Sequence, residues 1–265
     1  MLQPHRFFDL SSFGHPQLFA NADHAWDGLK NLQSYLDDFF YHPLPDCAKN
    51  CEPLAGTLVY YDGCFLDAAG LVVEFGDATR GKARVFRDGK QLDGASIIMA
   101  GAVLAGDKIR IGKGVRIEPG AFVGSPTIIG DMTEIRQGAY LRSHCLIGDH
   151  CVVGHVTEVK HTILMDGAKA GHFAYIGDSI LGRDVNLGAG TKLANLRFHA
   201  GTVQVRTPDG VVDSGLRKFG AILGDGVQTG CNSVTNPGAV LGPKSMVMPN
   251  TTVPSGLHGK NSLIR

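Results

Sequence analysis

The chain has 265 residues, enough for one large domain with a smaller companion. Its 25 basic and 25 acidic side chains cancel, which argues against a nucleic-acid-binding protein or one held to a membrane by charge. The MLQPHRFFDL start has no basic region followed by an apolar run, and no apolar stretch reaches 18 residues. Neither a secretory signal nor a transmembrane helix is expected, and the chain reads as cytoplasmic.

In chain order, Asn21-Ala22-Asp23 predicts a helix cap. Trp26, Leu29, Leu32, Leu36 and Phe39 then recur at steps of three and four, the pattern of an amphipathic helix that Pro43 and Pro45 end. Cys47 and Cys51 form a C-x3-C pair with no second pair or nearby histidine pair, so they read as loop cysteines and not a zinc site. From Gly56 the pattern turns strand-like at residues 58–61, 71–73 and 83–86, punctuated by glycines and Asp88-Gly89. Residues 1–92 therefore predict a small α+β cap over the first coil of a repeat domain that begins at residue 93, because an open sheet end is an exposed edge.

From residue 99 the period changes. An aliphatic side chain or alanine returns every sixth residue at Met99, Ala105, Ile111, Ile117, Val123, Ile129, Ile135, Leu141, Ile147, Val153 and Val159. This is the signature of a hexapeptide β-helix, three units to a coil. Leu164, Ala170, Ile176, Leu181, Leu187 and Leu193 continue it across two units that are one residue short. The period lapses after Asn195, where Val203-Gln204-Val205, Pro208-Asp209-Gly210 and Val211-Val212 predict a β-hairpin within a 196–221 loop. It resumes from Leu223 to Val253, before a short tail. Residues 93–265 thus predict a mainly β prism of roughly seven coils, about 30–35 Å long. The 36 glycines suit its tight corners. Cys145 and Cys151 fall in small inward slots and read as reduced core thiols, which fits a reducing cytoplasm.

The period is also a ruler. Arg142 and Lys160 are 18 residues apart and stack on one corner. Two cations so close call for an anion such as phosphate; a solvated pair, or neutralisation by Glu158, is the alternative. Tyr175 should lie over Glu158, and Asn186 over Lys169. His172 falls among these groups, a setting that suits acid–base chemistry.

The segments TEVKHTILMDGAKAGHFAYIGDSILGRDVNLGAGT, ANLRF and VDSGLRKFGAILGDGVQTG resemble the acetyltransferase half of the bifunctional glucosamine-1-phosphate acetyltransferase/N-acetylglucosamine-1-phosphate uridyltransferases, and still more the archaeal sugar-1-phosphate nucleotidyltransferases with an attached acetyltransferase. The resemblance covers roughly residues 111–253. It implies a left-handed parallel β-helix, usually a homotrimer, with acetyl-CoA as co-substrate and no metal needed for acyl transfer. It implies His172 as general base, and Arg142, Lys160 and Tyr175 on the sugar phosphate. Glu158 and Asn186 would contact the sugar near its amine. Asn195 would orient the acetyl group or pantetheine arm, Ala189 would line the thioester pocket, and Lys218 would approach the phosphate from a neighbouring subunit. Cys231 stands where the bacterial family has a serine near the coenzyme, Leu196 replaces a tyrosine, and Pro249 replaces an alanine. The Gly-rich nucleotide loop of the nucleotidyltransferases is missing from this sequence, so uridylyl transfer is not expected of it.

The expected function is acetyl transfer to an amino-sugar 1-phosphate for nucleotide-sugar synthesis. A non-catalytic sugar-phosphate-binding or oligomerisation module is the alternative. A γ-type carbonic anhydrase shares the prism, and His150 and His155 have a ligand-like spacing, but no histidine lies between His42 and His144 to supply the upstream ligand.

Overall fold

The computed structural model describes residues 1–48 and 51–265. The protein is mainly β, a left-handed parallel β-helix with a small α+β segment ahead of it. Its prism has three sheets. The capped face holds nine parallel strands from Ser96–Ile98 to Leu263–Ile264. The open face holds eight, from Val103–Ala105 to Thr252–Val253, and the flanked face holds eight, from Ile109–Ile111 to Gly256–His258. With a strand spacing of ~4.8 Å, nine stacked strands make the prism about 38 Å long. One inward residue per strand builds the core: Ile117, Val123, Ile129, Leu141, Val159, Ile176 and their kin are fully buried.

The prism is longer than the seven coils the period suggested, and its first two units lie one residue earlier in the sequence. At the start, Ile98 and Leu104 are the inward residues, paired with Ile117 and Val123. Met99 and Ala105 each lie one place outside that slot, and the unit reaching Ile111 has an extra residue. Met99 packs outside the prism instead. At the end, the tail is a further coil. Its inward slot is filled by His258, stacked on Leu241, so no aliphatic marks it. Ile264, stacked on Val247, closes that coil.

The two shortened units stand where the ruler put them. Ile147 pairs with Leu164 and Leu164 with Leu181, 17 residues apart in each case. Cys145 and Cys151 are buried free thiols. Burial pushes the Cys145 thiol up to about 12 and raises that of Cys151 as well, so both stay protonated and inert.

The segment before the prism has two parts with different jobs. β1 (Leu58–Tyr61) and β2 (Cys64–Asp67) form a hairpin, and β1 pairs antiparallel with the first prism strand, Ser96–Ile98. This satisfies the open edge, as a cap should. A meander of β3 (Val72–Phe75), β4 (Ala83–Arg87) and β5 (Lys90–Gln91) packs against the outer side of the same sheet through Val85 and Ile97. Its loop is tied down by Glu134, whose buried carboxylate accepts the Ala78 N–H (2.9 Å) and pairs with Arg116 (2.9 Å).

Residues 1–41 run along the flanked face, while Leu44, Ala48 and Leu54 join the cluster inside the prism at its first coil. The helix α1 (Asp27–Asp37) buries Leu29, Leu32 and Leu36. With Phe7, Phe8, Phe19 and Trp26 these cover Ile128, Leu146, Ile163 and Ile180, the outward residues of that sheet. The expected Asn21–Asp23 cap is not formed: Trp26 holds the N-cap position, and Asp27 instead accepts the His24 N–H (2.8 Å). The inserted hairpin, Gln204–Thr207 paired with Gly210–Asp213, folds back on the same face through Val203 and Val205. Trp26 is fully buried and stacks on the His24 ring at 4.6 Å. Trp26→Ala should cost about 3–5 kcal/mol, read as a lower urea midpoint with the prism still folded.

Candidate active site on the open face

The outward side chains of the open face are exposed or half-buried, as are those of the capped face from Lys169 onward, whereas the flanked face is covered along its length. Tyr175 pairs directly with Glu158, as the ruler required, and Lys160 with Gly177. Leu141 pairs with Val159, which sets Arg142 and Lys160 in successive coils where this face meets the flanked face. His172 ends the strand Lys169–His172, at the other edge of the open face, stacked on His155. From His172 to Tyr175 is three residues, at most about 10 Å of chain.

The two cations are each met by a carboxylate. Arg142 pairs with Glu158 at 3.2 Å, both half-exposed. Such a pair is worth ~0–1 kcal/mol, so an incoming anion can take the guanidinium at little cost. Lys160 pairs instead with Asp178 at 3.3 Å. Asp178 is buried and also meets His161 Nδ1 (3.1 Å) and the amide of Asn195. Burial alone would raise its carboxyl pKa; the hydrogen bonds with His161 and Asn195 and the charge of Lys160 outweigh that and hold it below the usual range.

Tyr175 leans toward this corner. A side-chain carbon at Gly177 would lie 2.6 Å from Asn195 Nδ2 and 2.7 Å from Tyr175 Oη, so the missing side chain is what admits both groups. Burial, then the Glu158 charge, raises the Tyr175 pKa, and the phenol remains a hydrogen-bond donor at neutral pH.

His172 is exposed, and among the described residues its imidazole makes no hydrogen bond. Its carbonyl accepts the Gly190 N–H (3.0 Å), which holds the corner beside Ala189. Ala189 in turn accepts the N–H of Asn232, one residue past the exposed Cys231, at 2.8 Å. His172, Ala189 and Cys231 therefore line one corner on successive coils. Asn186 is exposed on the capped face, stacked on Lys169. Lys218 is exposed and pairs with Leu196 at the base of the hairpin, close to Asn195 of its own chain. Within one chain, then, Arg142, Glu158, Lys160, Tyr175 and Asn195 gather at one edge of the open face. His172 and Ala189 stand at the other edge, and Asn186 lies around the corner.

Asp178, and the place of His161 beside it, are not among the sequence-predicted site features, although the ruler reaches them. His161, Asp178 and Asn195 are each 17 residues apart, the spacing of a coil with one short unit. The ligand-like spacing of His150 and His155 does not survive. They flank opposite ends of the strand Val152–His155, bound to the carbonyls of Thr79 and Gln137. Among the described residues no three His, Cys, Asp or Glu side chains converge as metal ligands, and no helix is long and apolar enough to cross a membrane.

Residues 123–234 match the model of the GMPPB C-terminal domain. The chain is 43% identical over 96 residues to the bifunctional sugar-1-phosphate nucleotidylyltransferase/acetyltransferase of Sulfurisphaera tokodaii, covering 36% of this chain and 24% of that one. It is 43% identical over 86 residues to the bifunctional protein GlmU of Methanocaldococcus jannaschii, covering 32% and 21%. It is 31% identical over 114 residues to the uncharacterized acetyltransferase YaiX of Escherichia coli, covering 41% and 50%. The chain thus spans about a quarter of the length of the bifunctional relatives. Among solved structures, the UDP-N-acetylglucosamine acyltransferase of Campylobacter jejuni aligns with a TM-score of 0.30 at 19% identity, over 63% of this chain and 68% of that one. Through its prism the chain is therefore similar to the acetyltransferase-bearing sugar-1-phosphate nucleotidylyltransferases, with residues 123–234 matching the GMPPB C-terminal domain.

Proposed function

We propose that the chain is an acetyl-CoA-dependent N-acetyltransferase acting on an amino-sugar 1-phosphate of the glucosamine 1-phosphate kind. One observation carries the reading. A two-cation corner, with a carboxylate and a phenol beside it, and a histidine whose imidazole makes no hydrogen bond among the described residues stand at opposite edges of one uncovered face. A phosphorylated amino sugar has the matching polarity, an anion at one end and a nucleophile some atoms away.

Arg142 and Lys160 bind the phosphate, with the Tyr175 hydroxyl donating to it. Glu158, released from Arg142, and Asn186 hold the sugar near its amine. His172 takes a proton from the amine as its nitrogen attacks the thioester carbonyl carbon. A backbone N–H near Ala189 stabilises the oxyanion of the tetrahedral intermediate. The C–S bond then breaks, coenzyme A leaves as the thiol with the proton returned through His172, and the amide remains. Asn195, at the phosphate edge of its own chain, orients the acyl group in a site shared with a neighbouring subunit, and Cys231 lines the coenzyme's path. The working form in this reading is a soluble, cytoplasmic homotrimer in which Lys218 approaches a neighbour's phosphate end.

Release of free thiol from acetyl-CoA with glucosamine 1-phosphate, against galactosamine 1-phosphate and no sugar, tests this. Turnover that needs the amino-sugar phosphate supports it. Clear sugar-phosphate binding without thiol release would favour a non-catalytic binding module. Arg142→Ala should raise KM for the sugar phosphate about 10- to 100-fold, as expected for one lost charge-assisted hydrogen bond of ~1.5–3 kcal/mol, and should change kcat little. An unchanged KM would contradict the phosphate assignment.

A further inference from the structure

Asp178 lies outside every role given above, yet it is the most connected side chain of the corner. The residue has 5% of its surface exposed. One carboxylate oxygen meets His161 Nδ1 at 3.1 Å and Lys160 Nζ at 3.4 Å. The other meets Lys160 Nζ at 3.3 Å and the Asn195 amide. The backbone of Asp178 is clasped as well: its N–H donates to the Lys160 carbonyl (3.0 Å), and its carbonyl accepts the Gly220 N–H (2.8 Å) where the inserted hairpin returns. The group is therefore held by two coils and by the hairpin base.

A buried carboxylate with this many donors fixes them as much as they fix it. Lys160 is a long, flexible side chain, and free in water it would sample many rotamers. Bound to Asp178 it points at the corner before any ligand arrives. Asn195 is the last prism residue before the hairpin, and its amide is aimed by the same carboxylate. We propose that Asp178 is a positioning residue, which ties the phosphate-binding lysine to the acyl-orienting asparagine so that one carboxylate sets both side chains, with His161 as its second support. The inference rests on the roles proposed for Lys160 and Asn195. It adds that neither residue works independently of Asp178.

The test uses the full chain and steady-state kinetics with acetyl-CoA and glucosamine 1-phosphate. Asp178 has a positive φ of 47°, a conformation asparagine adopts readily, so Asp178→Asn keeps the backbone and removes the charge. Its KM should rise about tenfold for the sugar phosphate and several-fold for acetyl-CoA. Lys160→Ala should affect chiefly the first constant and Asn195→Ala chiefly the second. The double variant Asp178→Asn/Lys160→Ala should be no worse for sugar phosphate than the worse of its two single variants, because the same interaction is removed in both. A purely structural role predicts a lower melting temperature and less active protein with no such split. If Asp178→Asn does not fold, His161→Gln carries the test, with a two- to fivefold rise in both constants expected. KM values within twofold of wild type in the folded variant, or effects that multiply in the double variant, overturn the inference alone. A wild-type chain with no acyl transfer to the sugar phosphate overturns the proposed function, and this inference with it.

Discussion

His172→Ala should lower kcat about 10²- to 10⁴-fold, the range for loss of a general base, and leave the Kd for glucosamine 1-phosphate within twofold of wild type. The separation comes from the geometry. The phosphate corner is built by Arg142, Lys160 and Asp178 at one edge of the open face, and His172 stands at the other. Its imidazole makes no hydrogen bond among the described residues, so its removal leaves no buried partner unsatisfied. His155, stacked directly beneath, is the natural control. Its Nδ1 is bound to the Gln137 carbonyl at 3.0 Å, and His155→Ala should keep most of the activity. Thiol release and calorimetry on the two variants read both quantities. Activity that survives in His172→Ala and falls in His155→Ala would move the base down one coil.

Gly154→Ala should strongly destabilise the prism, whereas Gly171→Ala, on the next coil, should not. A side-chain carbon at Gly154 would stand 1.8 Å from the Gly171 carbonyl oxygen and 2.2 Å from its carbon. Both atoms are backbone, and the coils would have to part at the step beside His172. Overpacking of this kind costs about 1–3 kcal/mol, more where nothing can yield. At ~2–4 °C per kcal/mol for a chain of about this size, the melting temperature should fall by about 5 °C or more. A carbon at Gly171 meets nothing within 4 Å, so that variant should melt within about 2 °C of wild type. Equal melting temperatures for the two would mean that the coils do not stack in this register.

The core was legible because most strands carry an apolar residue in the inward slot, and a six-residue period has no other simple source. Deleted residues kept their meaning: the two short units predicted the 17-residue steps that set Tyr175 over Glu158. What escaped had other physical causes. Ile128, Leu146, Ile163 and Ile180 sit next to the inward residues, on the outer side of one sheet. Strands apolar on both sides signal a covered face, the one along which residues 1–41 lie. The final coil escaped because His258 occupies an aliphatic slot. In the first two units the aliphatic period runs one residue behind the inward slot, because Met99 also carries an apolar side chain but turns it outward.

The candidate site was legible as a set of stacked positions and not as a network of contacts. The ruler brought Arg142 and Lys160 together but could not say which carboxylate each would choose. Arg142 takes Glu158, and Lys160 takes Asp178. That choice depends on how far a lysine reaches around a corner and on the space left by Gly177, neither of which a period encodes.

The central claim is that one face of the prism holds a sugar phosphate at one edge and an acyl thioester at the other. A crystal structure of the protein with acetyl-CoA and glucosamine 1-phosphate tests it most directly. The account predicts phosphate density against Arg142 and Lys160, with the thioester carbon beside the sugar amine and that amine within hydrogen-bond reach of His172, about 2.6–3.2 Å. Coenzyme bound with its thioester directed away from His172, or phosphate seated elsewhere, would contradict it.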